Sequence, residues 1–367
     1  MGYTTSPVLK TGWATGPVPL RCERSGVSTD GARHAARRPY ALWRLRTRRT
    51  ILWRTVKPRV DPRRIGHTAR VEGLRVGYAC VNTQLPSASR TLRLVNVTPT
   101  RLRALIEANL HALEAILRWN EQNRIRVFRL TSNLIPFGSH AANDLEWWEE
   151  FAPRLQHLGR VMKANAMSIS THPGQYTVLS STRPAVVAAS TAELEYHNRL
   201  LTAFGLDRTH KIVLHIGSGA AEPDAAFTRF AAGFEKLSAA TAGRLVIEND
   251  ERWPLERTLS LAERLELPVV FDVFHHQLAP SLGGLSVREL VLRAAETWRE
   301  EDGRQEVHFS TQEIGKRPGA HATRIQLEQF GRFIDEVGDL PLDCVIEVKD
   351  KELSVLRAQE LLRMHRR

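Results

Sequence analysis

Ten side chains scattered along this sequence are of the types that hold divalent metal ions. Six are histidines, His140, His172, His215, His275, His308 and His321, and four are carboxylates, Glu248, Asp272, Glu306 and Glu347. Imidazole and carboxylate together, with no thiolate among them, suit Mn2+, Zn2+ or Fe2+. Such ions polarise oxygens and activate bound water for hydrolysis. Taken singly, each histidine reads as an ordinary core or surface residue. The joint signal is their placement at or just past the ends of short apolar runs. His34, His67, His111, His157, His197 and His210 lie off these positions and read as structural or exposed.

The runs that must position these groups read as strands. They are "RVGYACV" (75–81), "RVFRLTS" (126–132), "MSISTHP" (167–173), "KIVLHIGS" (211–218), "RLVIEND" (244–250), "PVVFDVFH" (268–275), "EVHFSTQE" (306–313) and "DCVIEVKD" (343–350). Each is short, rich in β-branched residues and apolar until its last positions, as parallel strands buried on both faces should be. Amphipathic stretches separate them, among them "TPTRLRALIEANLHALEAILRWNEQN", where Thr98 is the expected N-cap and Pro99 the first helical residue. A second stretch, "DLEWWEEFAPRLQHLGRVMKAN", reads as one helix. Eight strands alternating with helices predict an α/β fold, a (β/α)8 TIM barrel over residues 71–367. An open doubly wound sheet is the rival, but neither GxGxxG nor P-loop text follows the first strand. In a closed barrel the C-terminal strand ends share one mouth, so groups far apart in sequence would face a single cavity.

Composition limits the rest. The chain has 367 residues, 42% hydrophobic and 25% charged, as soluble globular proteins do. No window approaches about 18 uninterrupted apolar residues, and the first residues lack a secretory pattern, so neither a membrane partner nor export is expected. Cys22, Cys80 and Cys344 form no CxxC pair, which makes a disulfide framework improbable and a reducing cytoplasm the expected location, nucleoid-associated if the chain is bacterial. The net charge of +12 is unevenly held. Residues 1–70 carry 16 basic and 3 acidic residues, and the remainder carries 36 and 37. That basic segment shows no sustained period and reads as a disordered or weakly helical extension able to bind nucleic acid without sequence preference. The barrel itself is close to neutral.

The texts "GYACVN", "RLTSNLIPFGSH", "STHPGQY", "VLHIGS", "VIEND", "FDVFHH", "VHFS" and "IEVKD" closely resemble the UV damage endonucleases, relatives of the endonuclease IV and xylose isomerase barrels. The resemblance spans roughly residues 74–365 and omits 1–70. It implies a TIM barrel with up to three divalent ions, Mn2+ first, with Mg2+, Zn2+ or Co2+ as alternatives. It places the ligands on His140, His172, His215, Glu248, Asp272, His275, His308, His321 and Glu347. Glu306 stands where some relatives carry a carbamylated lysine, and its carboxylate could supply the same oxygens from a shorter arm. Glu248 and Glu347 are then the expected bridging carboxylates, with Glu306 and His275 completing the catalytic set. Gln175 and Tyr176 match a pair that relatives insert into the duplex, and Tyr78 and Asn82 match residues near the damaged nucleotides. In "HATR", Thr323 stands where Asp is usual, so a hydrogen bond that supports a ligand is expected to be lost.

The implied reaction is metal-dependent hydrolysis of the DNA phosphodiester bond 5′ to a UV photoproduct, which leaves a 3′-hydroxyl and initiates excision repair. Double-stranded DNA carrying UV lesions is the expected partner, and no obligate protein partner is inferred. Three rivals remain at this stage: a nuclease of the endonuclease IV type acting on abasic sites, a sugar isomerase of the xylose isomerase type, and a non-catalytic DNA-binding protein driven by the basic arm.

Overall fold

The computed structural model describes residues 73–365. The expected basic extension over 1–70, and Cys22 within it, lie outside the described residues. Eight strands follow in order: β1 (Arg75–Ala79), β2 (Val127–Leu130), β3 (Ser168–Thr171), β4 (Lys211–His215), β5 (Leu245–Glu248), β6 (Val269–Asp272), β7 (Gln305–Phe309) and β8 (Leu342–Ile346). All neighbours pair in parallel, and β8 pairs back onto β1, closing the barrel. The open-sheet alternative is thereby excluded.

Helices cover the outside: α1 (Pro99–Gln122), α2 (Trp147–Glu150), α3 (Ala152–Ala164), α4 (Pro184–Ala203), α5 (Pro223–Phe234), α6 (Ala239–Ala242), α7 (Leu255–Leu265), α8 (Val273–Leu278), α9 (Val287–Ala295), α10 (Leu327–Val337) and α11 (Glu352–His365). Thr98 caps α1 as its sequence predicts, accepting the Arg101 amide at 3.3 Å ahead of Pro99. The stretch expected to form one helix is broken at Phe151 into α2 and α3. Pro153 is the physical reason. It has no N–H to continue the ladder, so it is tolerated only in the first turn of a new helix.

Strand parity explains how the barrel positions a site. Side chains alternate between the helices outside and the barrel interior. Val213, Val246 and Val270 pack together as one interior layer, and Ala79, Val127 and Val345 as another cluster. Two residues further along the same strands stand His215, Glu248, Asp272, Arg129 and Glu347, so the same parity delivers them to the mouth. Residues between them, such as Leu214, Ile247 and Phe271, join the core shared with the helices. Next to Val127 and Val345, β1 presents only the small Gly77 and Ala79. A Cβ on Gly77 would lie 1.8 Å from the Val127 carbonyl oxygen, so only glycine lets β1 approach β2 this closely.

Candidate metal centre

The mouth layer gathers groups from six strand ends. Glu248 is its hub. Its Oε2 lies 2.8 Å from His172 Nε2 and 3.6 Å from His215 Nε2, and its Oε1 lies 2.5 Å from His308 Nδ1. Two donor sets share it: His172, His215 and Glu248, and Glu248, Asp272, His308 and Glu347. Within each set the donor atoms lie within 4.8 Å of one another. A carboxylate common to two such sets has one oxygen for each.

The residues fit divalent ions on grounds beyond their spacing. Asp272 Oδ2 is buried without a hydrogen bond, and so are His215 Nδ1 and His275 Nδ1, which lie only within ion-pair range of Asp250 and Glu251. A buried carboxylate oxygen left so is costly unless something else satisfies it. Asp272 spends its other oxygen capping α8, accepting the His275 amide at 2.7 Å, and that cap aims the His275 side chain into the mouth. His172 Nδ1 lies 3.1 Å from the Pro173 carbonyl and His321 Nδ1 lies 2.9 Å from the Glu347 carbonyl. Each carbonyl calls for an N–H on Nδ1, which leaves Nε2 as the ligating nitrogen, an arrangement common among metal-bound histidines.

Electrostatics at the hub are strained in the way a cation would relieve. Burial opposes charge on Glu248, yet the imidazoles of His308 and His215 hold its carboxyl well below the usual range. Burial likewise opposes charge on Glu347, and Arg129 with His308 keeps it low. Burial pushes Asp272 up to about 7, against the pull of His275. Burial opposes charge on His308 too, but Glu248 outweighs it and raises the imidazole to about 10. A divalent ion entering here would displace protons and neutralise the crowded carboxylates.

Other expected residues divide. His275 and His321 line the rim with ring centroids 6.2 Å apart, and His215 lies 5.8 Å from His275. Glu306 sits one layer below the hub, on the same face of β7 as His308. Its Oε1 accepts from the Ser170 hydroxyl at 3.0 Å and lies 2.9 Å from His308 Nε2. His140 is exposed, takes the Ala142 amide on Nδ1 and belongs to neither donor set. Thr323 turns to Glu313 at 2.6 Å, and His321 is oriented instead by the Glu347 carbonyl. Gln175 is exposed and the Tyr176 ring is 68% exposed. That ring folds over Gly174, where a Cβ would lie 2.4 Å from it. Tyr78 and Asn82, by contrast, are buried. The Tyr78 hydroxyl donates to Asn120 at 2.7 Å and accepts from Asn82 at 3.2 Å, so in this conformation the pair braces the loop after β1 and presents no face to a ligand.

Sequence reasoning missed Arg129. Its guanidinium lies 2.6 Å from Glu347 Oε1 and 2.7 Å from His308 Nε2, and its Nε has no partner. Parity carried the signal, since Arg129 stands two residues beyond the inward Val127. Asp250 and Glu251 were missed as well. They lie 3.5 Å from His215 Nδ1 and 3.2 Å from His275 Nδ1.

Comparison with known proteins supports a single assignment. The model of the UV-endonuclease UvdE family matches residues 74–366. The UV DNA damage endonuclease of Clostridium perfringens is 36% identical over 289 residues, covering 77% of this chain and 69% of that protein. The UV-damage endonuclease of Schizosaccharomyces pombe is 30% identical over 304 residues, covering 77% of this chain and 49% of that longer protein. The crystal structure of SacUVDE superposes with a TM-score of 0.75 at 37% identity, covering 80% of this chain and 99% of that one.

Proposed function

The chain belongs to the UV-endonuclease UvdE family, and from that premise we propose that it cuts duplex DNA immediately 5′ to UV photoproducts, leaving a 3′-hydroxyl that initiates excision repair. It is a DNA endonuclease, a hydrolase acting on phosphodiester bonds. The observation that carries the finer reading is the shared Glu248, buried between two donor sets at the barrel mouth.

His172, His215, Glu248, Asp272, His275, His308, His321 and Glu347 would hold up to three ions, with Mn2+ the preferred species. Such ions supply Lewis-acid stabilisation of the reacting phosphate and an activated water. The chain's own residues do the rest. Glu248 and Glu347 each hold an anionic oxygen toward the mouth against the cost of burial. Glu306, hydrogen-bonded to Ser170 beneath His308, fixes that imidazole from below. Gln175 and Tyr176 supply the base-inserting pair. A dimer is already poorly stacked, so opening the duplex there costs less than in undamaged DNA. Tyr176 would stack in the gap, and its hydroxyl, 3.4 Å from Glu193, limits how far the ring swings.

The test is nicking of defined duplexes carrying a pyrimidine dimer, an abasic site or neither. EDTA-stripped protein should be inactive, and Mn2+ should restore cutting on the dimer substrate first. Undiminished cutting by metal-free protein would overturn the metal role. Faster cutting at the abasic site would move the reading to that lesion.

A further inference from the structure

Large apolar side chains are exposed at only eight positions among the described residues, and five of them, Leu94, Val95, Tyr176, Leu285 and Ile314, follow the C-terminal ends of strands. Isolated exposed apolar residues need no explanation. A concentration of them on the face that carries the metal centre does. Ile314 is the most telling because of how it is held.

Residues 312–321 form a loop after β7 closed at its base by an antiparallel bridge between Gln312 and His321, a proposed metal ligand. The Glu313 amide donates to the Ala320 carbonyl at 2.7 Å. The Gln312 side chain fills the loop's interior, donating to the carbonyls of Glu313 at 3.0 Å and Arg317 at 2.9 Å and accepting the Gly319 amide at 2.9 Å. Gly315 and Gly319 take φ of +71° and +83°, turns that side chains rarely allow. The Glu313 carboxylate is tied to Thr323 at 2.6 Å and lies 3.6 Å from Lys349. So much internal bonding pre-organises the loop, yet its tip leaves Ile314 86% exposed, with Lys316 and Arg317 exposed beside it.

Position in the ring completes the case. The loop after β3 carries Tyr176 and the loop after β7 carries Ile314, and these strands lie four apart among eight, so the two loops spring from opposite sides of the barrel. We infer that the 312–321 loop is a second DNA-contacting element. Ile314 enters a groove of the duplex across the mouth from Tyr176, while Lys316 and Arg317 bind the bordering phosphates. Apolar wedges of this kind, isoleucine among them, hold duplexes bent, and paired basic residues position them. A duplex gripped at two points across the mouth would be held bent over the metal centre. The inference rests on the reading of this mouth as a DNA-cutting site.

Mn2+-loaded full-length protein and its Ile314→Ala, Ile314→Asp and Lys316→Ala/Arg317→Ala variants should be compared in nicking of a dimer-containing duplex and in fluorescence anisotropy on dimer-containing and undamaged duplexes. Met364→Ala, exposed on α11, serves as the control. Either Ile314 substitution should raise KM about tenfold and weaken binding to the dimer duplex alike, with kcat changed far less. The double variant should weaken both duplexes and lower the slope of log affinity against log salt by about 0.9 per phosphate contact. Exposed substitutions of this kind leave folding intact, which thermal melts verify. If Ile314→Asp binds and nicks like wild type and the double variant keeps the wild-type salt slope, the loop is not a DNA element. If wild-type protein fails to nick the dimer duplex, the proposed function falls, while anisotropy still decides the loop.

Discussion

The two ends of this barrel treat charge in opposite ways. At the N-terminal end, buried charges meet their opposites. Asp343 accepts from Arg75 at 2.7 and 2.6 Å and from Arg304 at 3.0 Å, and Asp302 binds Lys211 at 2.6 Å and Arg208 at 3.2 Å. At the mouth, Glu248, Asp272, Glu306 and Glu347 share, among the described residues, the guanidinium of Arg129 and the ring of imidazoles, and Asp272 Oδ2 is left without a hydrogen bond. The same strands build both ends, so the difference lies in which residues occupy their first and last inward positions. Matched charge at one end serves stability, and unmatched carboxylates at the other store affinity for cations.

Substitution should separate the two regimes, and the mouth should respond most. Glu248→Gln keeps the shape of the hub and removes its charge. Turnover on a dimer-containing duplex should fall about a thousandfold or more, which corresponds to ~4 kcal/mol of lost transition-state stabilisation. A variant that cuts at the wild-type rate with Mn2+ would remove Glu248 from the reaction.

The opposite end should show the converse. Asp343→Ala leaves the guanidiniums of Arg75 and Arg304 facing each other without the carboxylate between them. Chemical denaturation should report a loss of about 3 kcal/mol, the scale for breaking one side of a buried pair. Nicking per folded molecule should be unchanged. A large fall in turnover at full stability would mean that the two ends are coupled.

Arg129 is where the regimes meet, a matched cation inside the unmatched end. Arg129→Met should lower turnover by 10–100-fold, as loss of a group that orients a ligand does, by freeing Glu347. Ion stoichiometry measured by mass spectrometry should be retained, and Arg129→Lys should recover part of the rate. Loss of bound metal in Arg129→Met would instead make the arginine a requirement for assembling the centre.

Much of this contrast could be read from the chain, and the limits have physical causes. Apolar runs with polar last residues are what a closed parallel barrel dictates, so the eight strands and the hub residues His172, His215, Glu248, Asp272, His308 and Glu347 were legible. Arg129 was not, because an arginine inside a strand reads as surface unless parity is followed from Val127. The burial of Tyr78 depends on Asn120 in α1, forty-two residues away, and no local pattern encodes it. The brace of Gln312 across its loop is likewise a tertiary fact. His140 matches a family motif, but its side chain points to solvent and the sequence alone gave no sign of that.

The smallest effect concerns an imidazole at the stable end. His210 precedes β4, and its Nδ1 accepts the Ile169 amide at 3.1 Å, which requires the neutral ring. Burial pushes its pKa down to about 4, while the ordinary value is 6.5. Above pH 6.5 the ring is neutral in folded and unfolded chains and pH has no leverage. Between 6.5 and 4 the unfolded chain takes up a proton that the folded one refuses, so stability falls as pH falls. At ~1.4 kcal/mol per unit, discounted for partial exposure, the loss at pH 5 is on the order of 1–2 kcal/mol. His210→Asn keeps an acceptor near Nδ1 and cannot titrate. Urea midpoints at pH 7 and pH 5 should therefore converge in this variant relative to wild type, since the remaining carboxylates titrate equally in both. Equal acid sensitivity in the two proteins would show that His210 gains its proton without cost, and that the stable end tolerates an unmatched charge after all.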